Sequence, residues 1–402
     1  MNVSKPQASI QWLQVCSLAA VQGAITLSWV IYNLYLVRLL VQLGLPESLA
    51  KHLLMVENLL AVGMEPLMGA LSDRQQRWLG TRFPLIALGV ILSAGLFILI
   101  PLVVLLGPSI ALTPWLLQGL AITWALAMTL FRSPVIVLLA NYAFATKLPQ
   151  AFSVLTLTGG LVGALRPLAS GFILGLGPTV TFAIGSGVLL GATVVLRIVH
   201  AQLPPSEPSP AASNPHPFPL KALTVLFVLG LLIAGGTRLM MGEILPKLLQ
   251  ANYPAINLNL SLGLLSIALA LFALAAGVIA TRIGNAKTMI IGAGGTAACL
   301  TLLTALPSFL LPIVLLISIA ALSPVVNGTI PLALELAPAR WGGLAIGTYF
   351  GGFSLAMVLY SAWMTPGVLT PAGTILLGVL LFILAGISIA VGDRFCRKVA
   401  VG

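Results

Sequence analysis

The chain has 402 residues, of which 59% are hydrophobic and 7% charged, with a mean hydropathy of +1.12. Soluble domains carry about a quarter charged residues, so a water-soluble class is excluded, and long apolar runs without polar alternation exclude a transmembrane β-barrel. The formal charge of +11 is scattered singly between apolar runs and forms no stripe that could track a phosphate backbone, which excludes nucleic acid as a partner.

An all-α membrane protein remains. About 20 apolar residues cross a bilayer core, and backbone in lipid must satisfy its own hydrogen bonds, so each run is a helix. Twelve spans are predicted, centred near residues 27, 60, 95, 126, 163, 188, 232, 269, 295, 321, 353 and 381. The first run is too long for a signal-peptide core and lacks a small-residue cleavage site. In it Gln22, Thr26, Trp29 and Asn33 recur at helical spacing and make one polar stripe. The second span ends in the most charged stretch of the chain, "EPLMGALSDRQQRWLGTRFP" at 65–84. Short Pro- and Gly-bearing connections such as "GLGPT" (175–179) force neighbouring spans antiparallel.

The one long polar connection is "AQLPPSEPSPAASNPHPFPL", 201–220, a flexible linker by composition. It divides an N-terminal six-helix bundle, 1–200, from a C-terminal one, 221–402. The halves repeat in outline, with Ser133-Pro134 answered by Ser323-Pro324. Duplicated six-helix halves mark transporters, with the site at their interface. With the N-terminus inside, thirteen of the 19 Lys and Arg fall on the cytoplasmic side. Arg38, Lys51 and Lys247 fall outside, and Arg132, Arg166 and Arg238 within spans. The positive-inside rule therefore predicts both termini and the linker to be cytoplasmic, in a plasma (inner) membrane.

Six plus six spans, a central linker and a charged loop after span two resemble the major facilitator superfamily. Gly69, Leu71, Ser72, Asp73 and Arg74 match the start of its loop motif, Gly-x-Leu-Ser/Ala-Asp-Arg. The Gly expected soon after Asp-Arg is missing; Gly80 comes later, before Arg82 and Pro84. That delayed form is similar to the glycoside–pentoside–hexuronide cation symporters and the sucrose transporters. The resemblance implies that Asp73 caps the cytoplasmic end of the eleventh helix in the outward-facing state. Arg340 is a nearby pairing partner, and Arg74, Arg77 and Arg82 serve as latch residues or topology anchors. It also implies that spans one, four, seven and ten line the cavity.

Ionisable groups inside spans mark function or pairing. Counting 1.5 Å per residue from the membrane face puts Glu65 level with Arg132, and Glu57 level with Arg166 at greater depth. The first pair reads either as a structural ion pair or, with Glu65 as proton carrier and Arg132 in the substrate-binding or coupling site, as part of the machinery. The second reads as a site for a coupling proton or cation. Arg238 has Glu57 or Glu243 as its candidate partner, and unpaired it would suit an anionic substrate group. Span ten offers Asn327 beside Pro324 and Pro331.

The expected function is secondary transport of a small polar solute, a sugar or an organic anion, by alternating access with ion coupling. The chain is expected to work as a monomer in the lipid bilayer. Cys16, Cys299 and Cys396 form no CxxC pair, so no disulfide, metal site or cofactor is expected. No GxxxxGK[ST] loop or catalytic cluster appears, which argues against an ATP-driven pump or an enzyme. The alternative is a non-transporting member of the superfamily acting as a membrane assembly factor, similar to the light-harvesting-complex assembly proteins. Such a helper would offer ligating His in its spans, whereas His52, His200 and His216 fall at span ends or in the linker.

Overall fold

A computed structural model of the chain describes residues 10–107, 112–202, 218–303, 307–363 and 370–401. The predicted linker at 201–220 lies mostly outside them. Every regular element among the described residues is helical. The principal helices are α1 (Trp12–Gln42), α2 (Ser48–Leu79), α3 (Phe83–Val104), α4 (Thr113–Ile136), α5 (Leu148–Gly163) and α6 (Pro178–His200). After the linker come α7 (Leu220–Leu239), α8 (Leu258–Ile283), α9 (Asn285–Leu302), α10 (Leu311–Leu336), α11 (Gly342–Trp363) and α12 (Pro371–Val401). Each coincides with a predicted span. Eleven are long and apolar enough to cross a membrane by length and composition. The twelfth, α9, has 18 residues and spends its first turn on Asn285 and Lys287.

Buried side chains gather into one large apolar cluster from α1–α6 and another from α7–α12. A smaller cluster joins the halves through Ile136, Val137, Leu226, Ile330, Ala345 and Ile346. The repeated Ser-Pro pairs occupy equivalent places. Ser133 of α4 donates to Glu65 of α2 at 3.0 Å, and Ser323 of α10 donates to the Leu269 carbonyl of α8 at 3.2 Å.

Two helices are broken at membrane depth. After α5 the chain continues as the short pieces Leu165–Leu168 and Ser170–Gly175. Pro167 lacks an N–H and its ring crowds the carbonyl four residues back, which stops the helix there. After α7 come a π-helical turn, Met240–Ile244, and a last piece, Leu245–Asn252. Pro246 cannot donate to the Gly242 carbonyl, so the turn widens. Irregular backbone at this depth is tolerated where protein or a water-filled cavity surrounds it.

The halves meet through glycines. A Cβ at Gly69 of α2 would fall on the Gly343 carbonyl of α11, and one at Gly347 would fall on the Glu65 carbonyl. Gly160 meets Ala270 where α5 crosses α8, and Gly277 meets Pro149 and Ser153. The α2–α11 contact runs along Val62–Asp73 and Gly343–Gly351, toward the end that carries the charged stretch. The molecule is thus closed between α2 and α11 at its charged end. Within the first half α1 packs chiefly on α5 and α6.

Candidate functional site

The charged stretch folds back on itself. Asp73 lies inside α2, which runs six residues further, to Leu79. The reason is the missing early glycine. Helix-compatible residues continue to Gly80, whose positive φ of 68° lets its N–H close onto the Gln76 carbonyl. The turn returns Arg82 to Asp73 at 2.7 Å and to the Ser72 hydroxyl at 3.0 Å. Asp73 is buried and also accepts the backbone N–H of Gly343 at 2.9 Å and of Leu344 at 2.8 Å. It therefore caps the first turn of α11, where a helix N-terminus favours negative charge.

The other latch candidates divide. Arg77 reaches the Arg340 carbonyl at 3.3 Å and lies over the Trp341 ring, so it spans the two halves. Arg340 is not the partner of Asp73; its guanidinium stacks on Trp341 at 5.0 Å while Arg82 takes the carboxylate. Arg74 lies over Trp78, 4.1 Å from the ring centre, on its own helix and outside the latch.

Just inside this gate, Glu65 and Arg132 form an ion pair with Glu65 fully buried. Arg132 also stacks on Phe350 of α11, 4.1 Å from the ring centre, so the pair touches both halves. Asn327 sits at the same closure. It donates to the Pro149 carbonyl at 3.0 Å and accepts from Thr156 at 3.0 Å. It thereby staples α10 to α5 instead of facing an open cavity.

Glu57 does not pair with Arg166, although depth matching predicts it. Its Oε1 accepts the hydroxyl hydrogen of the buried Tyr32, and its Oε2 has no protein partner. Around them Trp29, Tyr32, Trp124 and Phe97 pack ring on ring, with Trp29 and Trp124 centres 4.9 Å apart. Tyr32 went unnoticed in the sequence because a charge count does not register phenols. Its one signal is its position beside Asn33 at the end of the polar stripe.

That stripe faces the glycines of α5. A Cβ at Gly159 would lie 3.5 Å from the Thr26 hydroxyl and 3.7 Å from the Gln22 amide. Thr26 donates to the Gln22 carbonyl at 3.0 Å, and Asn33 donates to the Trp29 carbonyl at 2.7 Å. The Gln22 amide oxygen and the Trp29 indole N–H have no protein partner. Arg166 lies in the broken segment after α5, and Arg238 lies two residues before the π-turn; both side chains are exposed. An apolar crevice of about 400 Å³ between α1, the 165–175 pieces and α6 is lined by Leu27, Ile31, Phe172, Leu176 and similar residues. It lacks the convergent polar groups that orient a polar solute.

Residues 18–361 match the Major Facilitator Superfamily. The chain belongs to that superfamily. It is accordingly a membrane transporter and not an enzyme. No curated protein sequence matches it. Among solved structures, it is similar to a bacterial homologue of the iron transporter ferroportin in an outward-facing state. The identity is 16%, covering 95% of this chain and 98% of that one, with a TM-score of 0.68. It is similar to the proton:xylose symporter XylE at 15% identity, covering 96% and 95%, with a TM-score of 0.63. It is also similar to the human organic anion transporter MFSD10 at 16% identity, covering 94% and 99%, with a TM-score of 0.64. Likenesses at these identities establish the superfamily fold and leave the cargo to the site residues.

Proposed function

We propose that this superfamily member is a secondary transporter that moves a small polar solute across a plasma (inner) membrane by alternating access, with both termini and the charged end cytoplasmic. The observation that carries the reading is the double cap of Asp73 on α11. It closes the charged end, where α2 and α11 also meet through Gly69 and Gly347. This is one of the two states that alternating access needs, the outward-facing one. A contact made in one state and broken in the other biases their equilibrium by its differential strength.

Coupling is assigned to Glu57. Its carboxyl has a phenol beside it and, among the described residues, no ion-pair partner, and an unpaired charge within a bilayer costs several kcal/mol. A proton taken up there from one side and released to the other would tie transport to a proton gradient. The delayed loop motif, Gly80 to Pro84, supports placing the chain near the glycoside–pentoside–hexuronide cation symporters.

Single-cysteine variants test the cycle in a chain whose Cys16, Cys299 and Cys396 are replaced by Ser. Asn33→Cys should react with a membrane-impermeant maleimide from outside, and Ser153→Cys should be protected from inside. Adding Asp73→Asn should lower the first rate and raise the second. Rates that stay unmoved at both positions overturn alternating access through this gate.

A further inference from the structure

Arg74 stands beside Asp73 in the sequence but lies outside the gate. The last turns of α2 have two opposite faces. At about 100° per residue, Gly69, Asp73 and Arg77 fall on one face, and that face meets the second half. Leu71, Arg74, Gln75, Trp78 and Leu79 gather on the other side of the helix, turned away from the second half. There they line a crevice of about 450 Å³, with Leu85 of α3 as its far wall. Its origin lies in the packing. Both α2 and α3 pack on α4 and scarcely on each other, so a wedge stays open between them beside the turn that joins them. One hydrogen bond crosses it, from the Leu85 N–H to the Gln75 Oε1 at 3.3 Å.

Most of the lining is apolar, and Arg74 and Gln75 are its polar groups. Arg74 holds its guanidinium 4.1 Å from the centre of the Trp78 ring and makes no hydrogen bond or ion pair among the described residues. Its neighbour Asp73 is engaged by Arg82 and by the N–H groups of α11. Gln75 gives its oxygen to Leu85, which leaves its amide N–H groups without a partner among the described residues. Trp78 is 71% exposed, and exposed Leu67, Leu71 and Leu79 on α2 and Leu88 on α3 carry the apolar surface into the span. Leu67 lies eleven residues before Trp78, about 16 Å deeper along the helix axis. Tryptophan sits at the headgroup level of a bilayer, and arginine keeps its charged head there while its stem lies on apolar surface. A guanidinium stacked on an aromatic face still presents its fork to a phosphate. A phospholipid with an anionic headgroup matches the cation, the amide and the leucine walls together, whereas a free anion leaves the leucines uncovered.

We propose that the wedge between α2 and α3 is a binding site for an anionic phospholipid of the cytoplasmic leaflet. The headgroup phosphate sits on the Arg74 fork and the Gln75 amide. An acyl chain lies on Leu71, Leu79 and Leu85 and runs on past Leu67. Cytoplasmic leaflets carry anionic lipid, and basic pockets between spans on that side hold such headgroups. The site rests on the proposed orientation, with the charged end cytoplasmic, and not on transport. Because α2 and α3 belong to one half, bound lipid anchors that half in both states and leaves the Asp73 cap free to open.

The test is tryptophan fluorescence of the full-length protein in vesicles made of equal parts dioleoylphosphatidylcholine and dioleoylphosphatidylglycerol. Bromine on the acyl chains of one lipid or the other quenches the tryptophans that touch it. Both leaflets have the same composition, so the direction of insertion is immaterial. The quenching that belongs to Trp78 is the difference between wild type and Trp78→Phe. Brominated phosphatidylglycerol should quench Trp78 more than brominated phosphatidylcholine does, with a relative affinity of about fivefold, the size of one basic side chain's attraction to an anionic surface. Arg74→Gln should remove the preference, and Arg74→Lys should keep most of it. Equal quenching by the two lipids overturns the proposal. So does a preference that survives Arg74→Gln, which would come from the loop's charge at large. A preference lost when inorganic phosphate replaces chloride at equal ionic strength would assign the crevice to free phosphate and also overturn it. A second readout needs no Trp78 variant. In detergent, phosphatidylglycerol should raise Tm more than phosphatidylcholine does, and the excess should vanish in Arg74→Gln. Without added lipid Arg74→Gln should melt with wild type, because it strands no carboxylate; a lower Tm would assign Arg74 to packing and overturn the site. Orientation is read separately, by a reporter fused after Ser209, whose activity outside the cytoplasm would overturn the cytoplasmic placement whatever the vesicles show.

Discussion

Glu57 and Tyr32 share a hydrogen bond between α2 and α1, within a wall of aromatic rings and, among the described residues, with no ion-pair partner. Tyr32→Phe removes the carboxyl's one protein donor. The expected loss is about 1–3 kcal/mol, the usual penalty for stranding a buried polar group, read as a lower Tm in detergent. Groups in direct contact couple by roughly 0.5–3 kcal/mol in a double-mutant cycle. Tyr32→Phe combined with Glu57→Gln should therefore depart from additivity by an amount in that range. Strict additivity would show that the bond contributes nothing.

Glu57→Gln also tests coupling. Once a cargo is identified, the variant should still exchange it across proteoliposomes but no longer accumulate it when a pH gradient is imposed. Accumulation at the wild-type level, with the wild-type dependence on the gradient, would remove Glu57 from the coupling path.

Gly69→Ala is a charge-neutral attack on the gate. The new methyl would meet the Gly343 carbonyl, and overpacking of this kind costs about 1–3 kcal/mol. The cost falls only on the state in which α2 and α11 touch. Ser153→Cys should therefore become more reactive from the charged end in the Gly69→Ala background, by a factor of about 5 or more. An unchanged rate would mean that the helices separate without passing through this contact.

The Glu65–Arg132 pair is expected to be structural. Glu65→Gln leaves a half-buried guanidinium held by its stack on Phe350, and removing one partner of a buried pair costs about 3–5 kcal/mol. Exchanging both, Glu65→Gln with Arg132→Met, should recover most of the Tm, since apolar replacements of buried pairs are often neutral. A double variant as unstable as the single one would show that Ser133 or Phe350 needs the charge itself.

Topology is checked independently. A reporter active only outside the cytoplasm, fused after Ser209 in the linker sequence, should be silent. Activity there would invert the orientation or change the number of spans in the first half.

The sequence by itself determined the class. A greasy chain with twelve separable apolar runs cannot avoid being a helical membrane protein, because hydrocarbon offers the backbone no other partner. The resemblance of the loop motif to the superfamily's implied a contact between Asp73 and the start of the eleventh helix, and in the structure Asp73 accepts from Gly343 and Leu344 there. Depth was legible too, since rise per residue is fixed, and it placed Glu65 beside Arg132. Rotation about the helix axis was not. Eight residues turn α2 by about 80° beyond two full turns, so Glu65 looks toward α4 while Glu57 looks toward α1 and meets Tyr32. Only the tertiary structure decided that Asn327 staples the gate and that Arg82, rather than Arg340, holds Asp73. It also broke the helices that carry Arg166 and Arg238, one at Pro167 and one at a π-helical turn. Such features depend on contacts between distant segments, which leave no periodicity along the chain.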